Sequence, residues 1–180
     1  QYLNYPLSLG SPTVQGNRIY FVTGGSSEQP SFLYCYSTNG TPLWKFVAFG
    51  QITSNSALVY GSKIFFGSST DLFYCVNESG SQIWQYGLNA PILSSPCLGA
   101  GRVFAVTAKG RVYAFDYNDY KNLFEVDLPL STYGEVKSSP VFHDGLLYVS
   151  TRSANEKGEM YAINAYTGEI IWRSGNVGNF

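Results

Sequence analysis

The chain has 180 residues, enough for one domain with a core of its own, and carries 11 Lys+Arg against 12 Asp+Glu. Only 13% of residues are charged and the net charge is −1, so there is no basic stripe to neutralise phosphates and nucleic acid is not an expected partner. The 44% apolar and 17% aromatic content lies far from the profile of disorder, and no apolar run approaches the roughly 18 residues of a membrane span.

Residues 1–10 read as a connection without the charged and apolar regions of a secretion signal. A first unit, 11–49, opens on Ser11-Pro12-Thr13-Val14, turns into Ile19-Tyr20-Phe21-Val22, continues through Leu33-Tyr34-Cys35-Tyr36 and ends on a run carrying Trp44. The second, 50–90, repeats the order with Ser56-Ala57-Leu58-Val59, Ile64-Phe65-Phe66-Gly67, Phe73-Tyr74-Cys75-Val76 and Trp84. The third, 91–134, runs through Ser95-Pro96-Cys97-Leu98, Val103-Phe104-Ala105-Val106, Val112-Tyr113-Ala114-Phe115 and Phe124. The fourth, 135–180, has Ser139-Pro140-Val141-Phe142, Leu147-Tyr148-Val149, Met160-Tyr161-Ala162-Ile163 and Trp172.

The opening serines are 45, 39 and 44 residues apart, and a fixed period of this size marks a repeat architecture. Helix pairs would need apolar residues three and four apart over ten or more positions. These runs are instead short, rich in Val, Ile, Tyr and Phe, and punctuated by Gly, Asn and Ser, so each unit predicts four antiparallel strands. Four strands per 40 to 45 residues is the arithmetic of a β-propeller blade. A β-sandwich would not repeat one spacing four times with equivalent side chains in equivalent places. The expected fold is therefore all-β, a propeller of four-stranded blades with four blades present.

The stretch Ala162-Ile163-Asn164-Ala165-Tyr166-Thr167-Gly168-Glu169-Ile170-Ile171-Trp172 resembles the tryptophan-docking motif of PQQ-like, quinoprotein-type β-propellers, in which Ala, an acidic residue, Thr-Gly and Trp recur. Asn164 stands where that family usually has Asp. Shortened versions run from Cys35 through Gly40 to Trp44 and from Cys75 through Gly80 to Trp84; the third unit keeps Ala114 and Asp116 but has Tyr120 for Gly and Phe124 for Trp. The resemblance implies that Trp44, Trp84, Trp172, Gly40, Gly80, Gly168 and Ala162 are structural residues that tie blades together, with the tryptophans buried near blade interfaces. A Trp packs flush only on a small residue or a bare peptide plane and needs a partner for its N–H.

In character the chain is similar to non-enzymatic members of that family, such as the propellers of bacterial outer-membrane assembly lipoproteins. That implies a binding or scaffold role toward a protein or other macromolecule, no cofactor, and an extracytoplasmic compartment, periplasmic or secreted. The alternative is part of a dehydrogenase dependent on PQQ and calcium. Those enzymes use an adjacent Cys-Cys pair, a central Trp plate and clustered Glu, Asn and Asp; no Cys-Cys stands in this chain, and its Trp residues belong to docking motifs. A further alternative is the sensor or recruiting propeller of a larger enzyme or receptor. Rings of the family commonly have eight blades, so four suggest half a ring. The other half would come from the rest of a longer chain or from a second copy. Leu3-Asn4-Tyr5-Pro6-Leu7 resembles the blade connection Leu88-Asn89-Ala90-Pro91-Ile92, as though the chain were cut between blades.

Reactive residues give little else. Cys35 and Cys75 occupy the slot that Ala114 and Ala162 fill, so they read as small packing residues, and no Cys-x-x-Cys points to zinc. The single histidine, His143, precedes Asp144-Gly145, a hairpin-turn signal, with nothing placed to orient it as a base. Asp116-Tyr117-Asn118-Asp119 begins like a calcium loop but continues with Tyr120 and lacks the Gly and distal Glu. Asn39 and Asn77 match a glycosylation pattern, yet both sit where a turn wants Asn.

Loop lengths are more informative. In a blade the second-to-third loop and the blade-to-blade connection share one face, and the extended loops 24–31 and 151–158 and the long connection 127–137 all fall on it. Insertions confined to one face of a repeat protein mark a candidate binding face. Its side chains able to contact a partner are Glu28, Tyr133, Glu135, Lys137, Arg152, Asn155 and Lys157.

Overall fold

The computed structural model describes residues 10–25, 30–52, 56–130, 134–152 and 158–175. They form sixteen strands and no helix. The first sheet takes β1 (Thr13–Gln15), β2 (Arg18–Thr23), β3 (Ser31–Ser37) and β4 (Pro42–Ala48); the second takes β5 (Leu58–Tyr60), β6 (Lys63–Gly67), β7 (Leu72–Asn77) and β8 (Gln82–Gly87). The third holds β9 (Cys97–Gly99), β10 (Arg102–Val106), β11 (Arg111–Asp116) and β12 (Asn122–Asp127), and the fourth β13 (Val141–His143), β14 (Leu146–Arg152), β15 (Gly158–Asn164) and β16 (Ile170–Arg173). Each sheet is an antiparallel meander in chain order. This is the architecture of a four-blade β-propeller fragment, as the repeat predicts.

Turn chemistry explains why the strands break where they do. The β13–β14 hairpin closes on Asp144 and Gly145, with φ of +47° and +80°, the pairing of left-handed residues that a tight two-residue turn demands. Between the third and fourth strands of each sheet a side-chain oxygen caps the turn. Asn77 Oδ1 accepts from the Ser79 and Ser81 N–H groups, Asp116 Oδ1 from those of Asn118 and Asp119, and Asn164 Oδ1 from those of Tyr166 and Thr167. Only an acceptor is used, so Asn serves as well as Asp. The residue that ends this turn is left-handed in every sheet: Gly40, Gly80 and Gly168, and in the third sheet Tyr120 at φ +62°.

A register shift follows at one equivalent place in each sheet, after Cys35, Cys75, Ala114 and Ala162. Directly across from these four small residues stand Trp44, Trp84, Phe124 and Trp172. The bulge aims the large ring out of the ladder, and the small partner leaves room beneath it.

The chain divides into two compact units, Gln1–Ser95 and Pro96–Phe180. In the first, Tyr20, Val22, Leu33 and Cys35 of one sheet pack with Ile64, Phe66, Tyr74 and Val76 of the next. Phe46 meets Phe66 and Tyr74 edge-on, with ring centroids 6.0 and 5.8 Å apart. In the second, Phe104, Val106, Val112 and Ala114 pack with Leu147, Val149, Tyr161 and Ile163. Within each unit, alternate strand residues thus fill the seam between its two sheets.

Candidate functional site

Of the seven side chains assigned to the loop-bearing face, Glu28, Tyr133, Asn155 and Lys157 lie outside the described residues. The other three, Glu135, Lys137 and Arg152, are brought together in the second unit. Glu135 N–H donates to the Arg152 carbonyl at 2.8 Å and Arg152 N–H returns a bond to the Glu135 carbonyl at 2.9 Å, which zips the connection to the end of β14. Further along, Ser138 Oγ donates to the Ser150 carbonyl at 2.6 Å, and Ser150 Oγ donates to Ser138 Oγ at 2.7 Å. Val136 is fully buried between these points, and its N–H donates to the Ala108 carbonyl at 3.0 Å.

Strand alternation then fixes the neighbours: with Val136 turned inward, Glu135 and Lys137 share the outward side, where Lys137 Nζ lies 3.0 Å from Glu135 Oε2. An exposed pair of this kind adds little stability, so the geometry matters more than the bond. A carboxylate, an ammonium group and the guanidinium of Arg152 stand on one pinned backbone strip. Such a strip can exchange hydrogen bonds with a polar partner surface. The sequence places β14 to β15 apart by a loop over 151–158, whereas the strands stay paired out to Arg152 and Gly158. The loop is shorter than expected because pairing continues to its base.

One further charged group on this end of the unit escaped the sequence reading. Loop 107–110 bonds both to Val136 and to Leu128, whose N–H donates to the Gly110 carbonyl at 2.9 Å. Beside that loop Arg111 holds Asp127 through two bonds of 2.6 Å and reaches Glu125 at 3.4 Å. The guanidinium holds the Asp127 carboxyl below the usual carboxylate range. The usable signal was strand register, since Arg111 and Asp127 are direct cross-strand partners.

Tyr161 anchors the connection below. It is fully buried, and its hydroxyl donates to Glu159 and lies 3.4 Å from the Pro129 carbonyl. Burial, together with the Glu159 carboxylate, pushes the phenol up to about 12.

The docking residues divide by environment. Trp44 Nε1–H donates to the Glu78 carbonyl at 2.7 Å, and its ring lies over Gly80, where an added Cβ would come within 2.7 Å of it. Phe124 covers Gly168 in the same way, again at 2.7 Å. Trp84 packs edge-on to Phe73 and stacks on Tyr86. Trp44 and Trp84 are half-buried rather than buried, and Trp172 departs furthest from the expected burial. It stands 42% exposed, touching Tyr148 on the side of the fourth sheet turned away from the core of its unit. His143 lies in its hairpin as expected, and among the described residues no cluster of His, Cys, Asp and Glu could hold a metal ion.

BamB from Moraxella catarrhalis is 18% identical to the chain with a TM-score of 0.65, covering 96% of this chain and 63% of that one. Quinohemoprotein alcohol dehydrogenase from Comamonas testosteroni is 14% identical with a TM-score of 0.75, covering 94% and 35%. A europium-containing methanol dehydrogenase is 18% identical with a TM-score of 0.59, covering 65% and 23%. The chain thus spans less than two thirds of each of these structures, and at such identities they establish the fold. No curated protein sequence matches it. The family described as outer membrane protein assembly factor BamB matches residues 29–175, and the chain, with one four-stranded sheet in each of its four repeats, belongs to this PQQ-like β-propeller family.

Proposed function

We propose that the chain is a non-catalytic binding or scaffold segment of an extracytoplasmic propeller, which engages a protein partner through its loop-bearing face. The observation that carries this reading is the strip of Glu135, Lys137 and Arg152, whose backbone is held by reciprocal hydrogen bonds and so is already ordered before a partner binds. Membership in a family described by an assembly factor supports a protein as the ligand. The likeness to dehydrogenases keeps the second reading, a cofactor-dependent propeller, as the one to be tested against it.

The test compares variants under one protocol. Immobilised chain is exposed to a periplasmic extract, and the captured proteins are identified by mass spectrometry. Arg152→Ala is expected to lose a specific partner at least tenfold while His143→Ala, on the opposite hairpin end, retains it; the reverse pattern places the binding face at the other end. Separately, PQQ with calcium is added to the purified chain. A saturable rise of several degrees in melting temperature would overturn the scaffold reading, because a ligand of the native state stabilises it by mass action.

A further inference from the structure

Each four-stranded meander leaves its fourth strand with a neighbour on one side only. Such an edge shows a row of unpaired backbone groups, and proteins blunt it with proline, charge or brevity. β4 carries Pro42 and Lys45, β12 carries Glu125 and Asp127, and β16 is four residues long and ends on Arg173. β8 has none of these devices. Its six residues, Gln82-Ile83-Trp84-Gln85-Tyr86-Gly87, hold no charge and no proline, and the whole stretch 79–101 is free of charged side chains.

The register of β8 on β7 fixes which groups face outward. Leu88 N–H donates inward to the Asp71 carbonyl at 2.6 Å, so antiparallel alternation turns the backbone groups of Tyr86 and Trp84 toward β7 and those of Gly87 and Gln85 away from it. Gln85 and Gly87 are exposed, as are Gln82 and Ile83. Gly87 does not take a left-handed φ, and an added Cβ would meet nothing within 4 Å. Neither backbone conformation nor packing inside the chain calls for glycine here, and a glycine of that kind within a strand often marks a place where another backbone comes close. Beside it Tyr86 stacks on Trp84 with ring centroids 5.8 Å apart, which gives the edge an aromatic flank.

We infer that the edge of β8 pairs with the β8 edge of a second copy of this chain, antiparallel about a two-fold axis at Tyr86, with Gln85 opposite Gly87 of the second copy. Each such pair exchanges two N–H···O=C bonds, and the axis supplies the pair twice. Tyr86 then faces its own equivalent in the non-hydrogen-bonded pair at the axis, where side chains lie closest and aromatic pairs are favourable. The occupant follows from self-complementarity. An outward donor and acceptor at both 85 and 87 are what an antiparallel copy of the same strand matches, and a charge-free edge on a chain of net charge −1 has nothing to repel its own copy. The contact is isologous and closes at two chains. It uses a strand edge of the second sheet and is independent of the loop-bearing face.

Sedimentation and light scattering of the full chain across micromolar concentrations test this, with an expected rise from 19.8 kDa to twice that mass and no further. Gln85→Pro removes an N–H that the internal ladder does not use, so circular dichroism should be unchanged while association weakens roughly tenfold or more through the two lost bonds. Gln85→Lys and Gln85→Glu keep the backbone and set like charges on diagonal neighbours across the axis. Each alone should stay dissociated at concentrations where the wild type pairs, and an equimolar mixture of the two should form a 1:1 complex. Leu123→Lys, a charge placed on an exposed residue of β12, should leave pairing untouched. A single-chain mass at every concentration overturns the proposal and leaves the edge to an extended segment of a different protein. Growth beyond two chains, pairing that survives both Gln85→Pro and Gln85→Lys, a Lys and Glu mixture that stays dissociated, or loss of pairing in Leu123→Lys overturns it as well.

Discussion

Trp44 and His143 mark the extremes of what one side chain contributes here. The indole fills the slot over Gly80 and satisfies its N–H on Glu78, so Trp44→Ala removes packing and a hydrogen bond together. We expect a loss of about 3 kcal/mol, the lower end for a large aromatic because part of the ring remains exposed. His143→Ala, exposed at the end of a three-residue strand, should change stability by less than about 0.5 kcal/mol. Urea denaturation of the two variants checks the pair, and equal losses would show that the docking contact carries no special weight. The small residues opposite the rings were readable beforehand from the alignment of Cys35 and Cys75 with Ala114 and Ala162. Exposure of Trp172 was not, because a motif states what a ring can dock on and not whether a neighbour is present.

At the scale of the element, the recurring unit is the turn from third to fourth strand. Its capping oxygen acts only as an acceptor, which predicts that Asn164→Asp costs under about 0.5 kcal/mol while Asn164→Leu, which hands the exposed Tyr166 and Thr167 N–H groups to water, costs about 0.5 to 1.5 kcal/mol. Denaturation midpoints of both variants decide it. Strands and turns were legible in the sequence because a strand of three to seven residues is specified by its own alternation and by the turn chemistry on either side. What stayed hidden was pairing beyond the turns. The bridge between Glu135 and Arg152 joins residues 17 apart through backbone atoms alone, and backbone bonds leave no mark on side-chain identity. For the same reason the sequence could nominate Glu135, Lys137 and Arg152 by loop length but could not say that they would meet, and it passed over Arg111 because a single cross-strand pair has no repeat to announce it.

The whole molecule rests on one device used four times, a small residue seated across from a large ring, and in two sheets that small residue is a cysteine. Cys35 and Cys75 are sealed within their sheets and free of disulfides, and Cys97 is free and half-buried. Burial raises the thiol pKa of both Cys35 and Cys97, which suppresses the thiolate that oxidants and alkylating agents attack. Alkylation of the native chain should therefore modify Cys97 first and reach Cys35 and Cys75 only on unfolding; mass spectrometry of iodoacetamide-treated protein with and without urea reads this directly, and early labelling of Cys35 would contradict it. A propeller held by rings on glycine needs no oxidative step to lock its blades, so its folding is indifferent to the thiol-disulfide poise of the compartment that receives it, and its stability survives reductant that would dismantle a cystine-stapled domain of the same size.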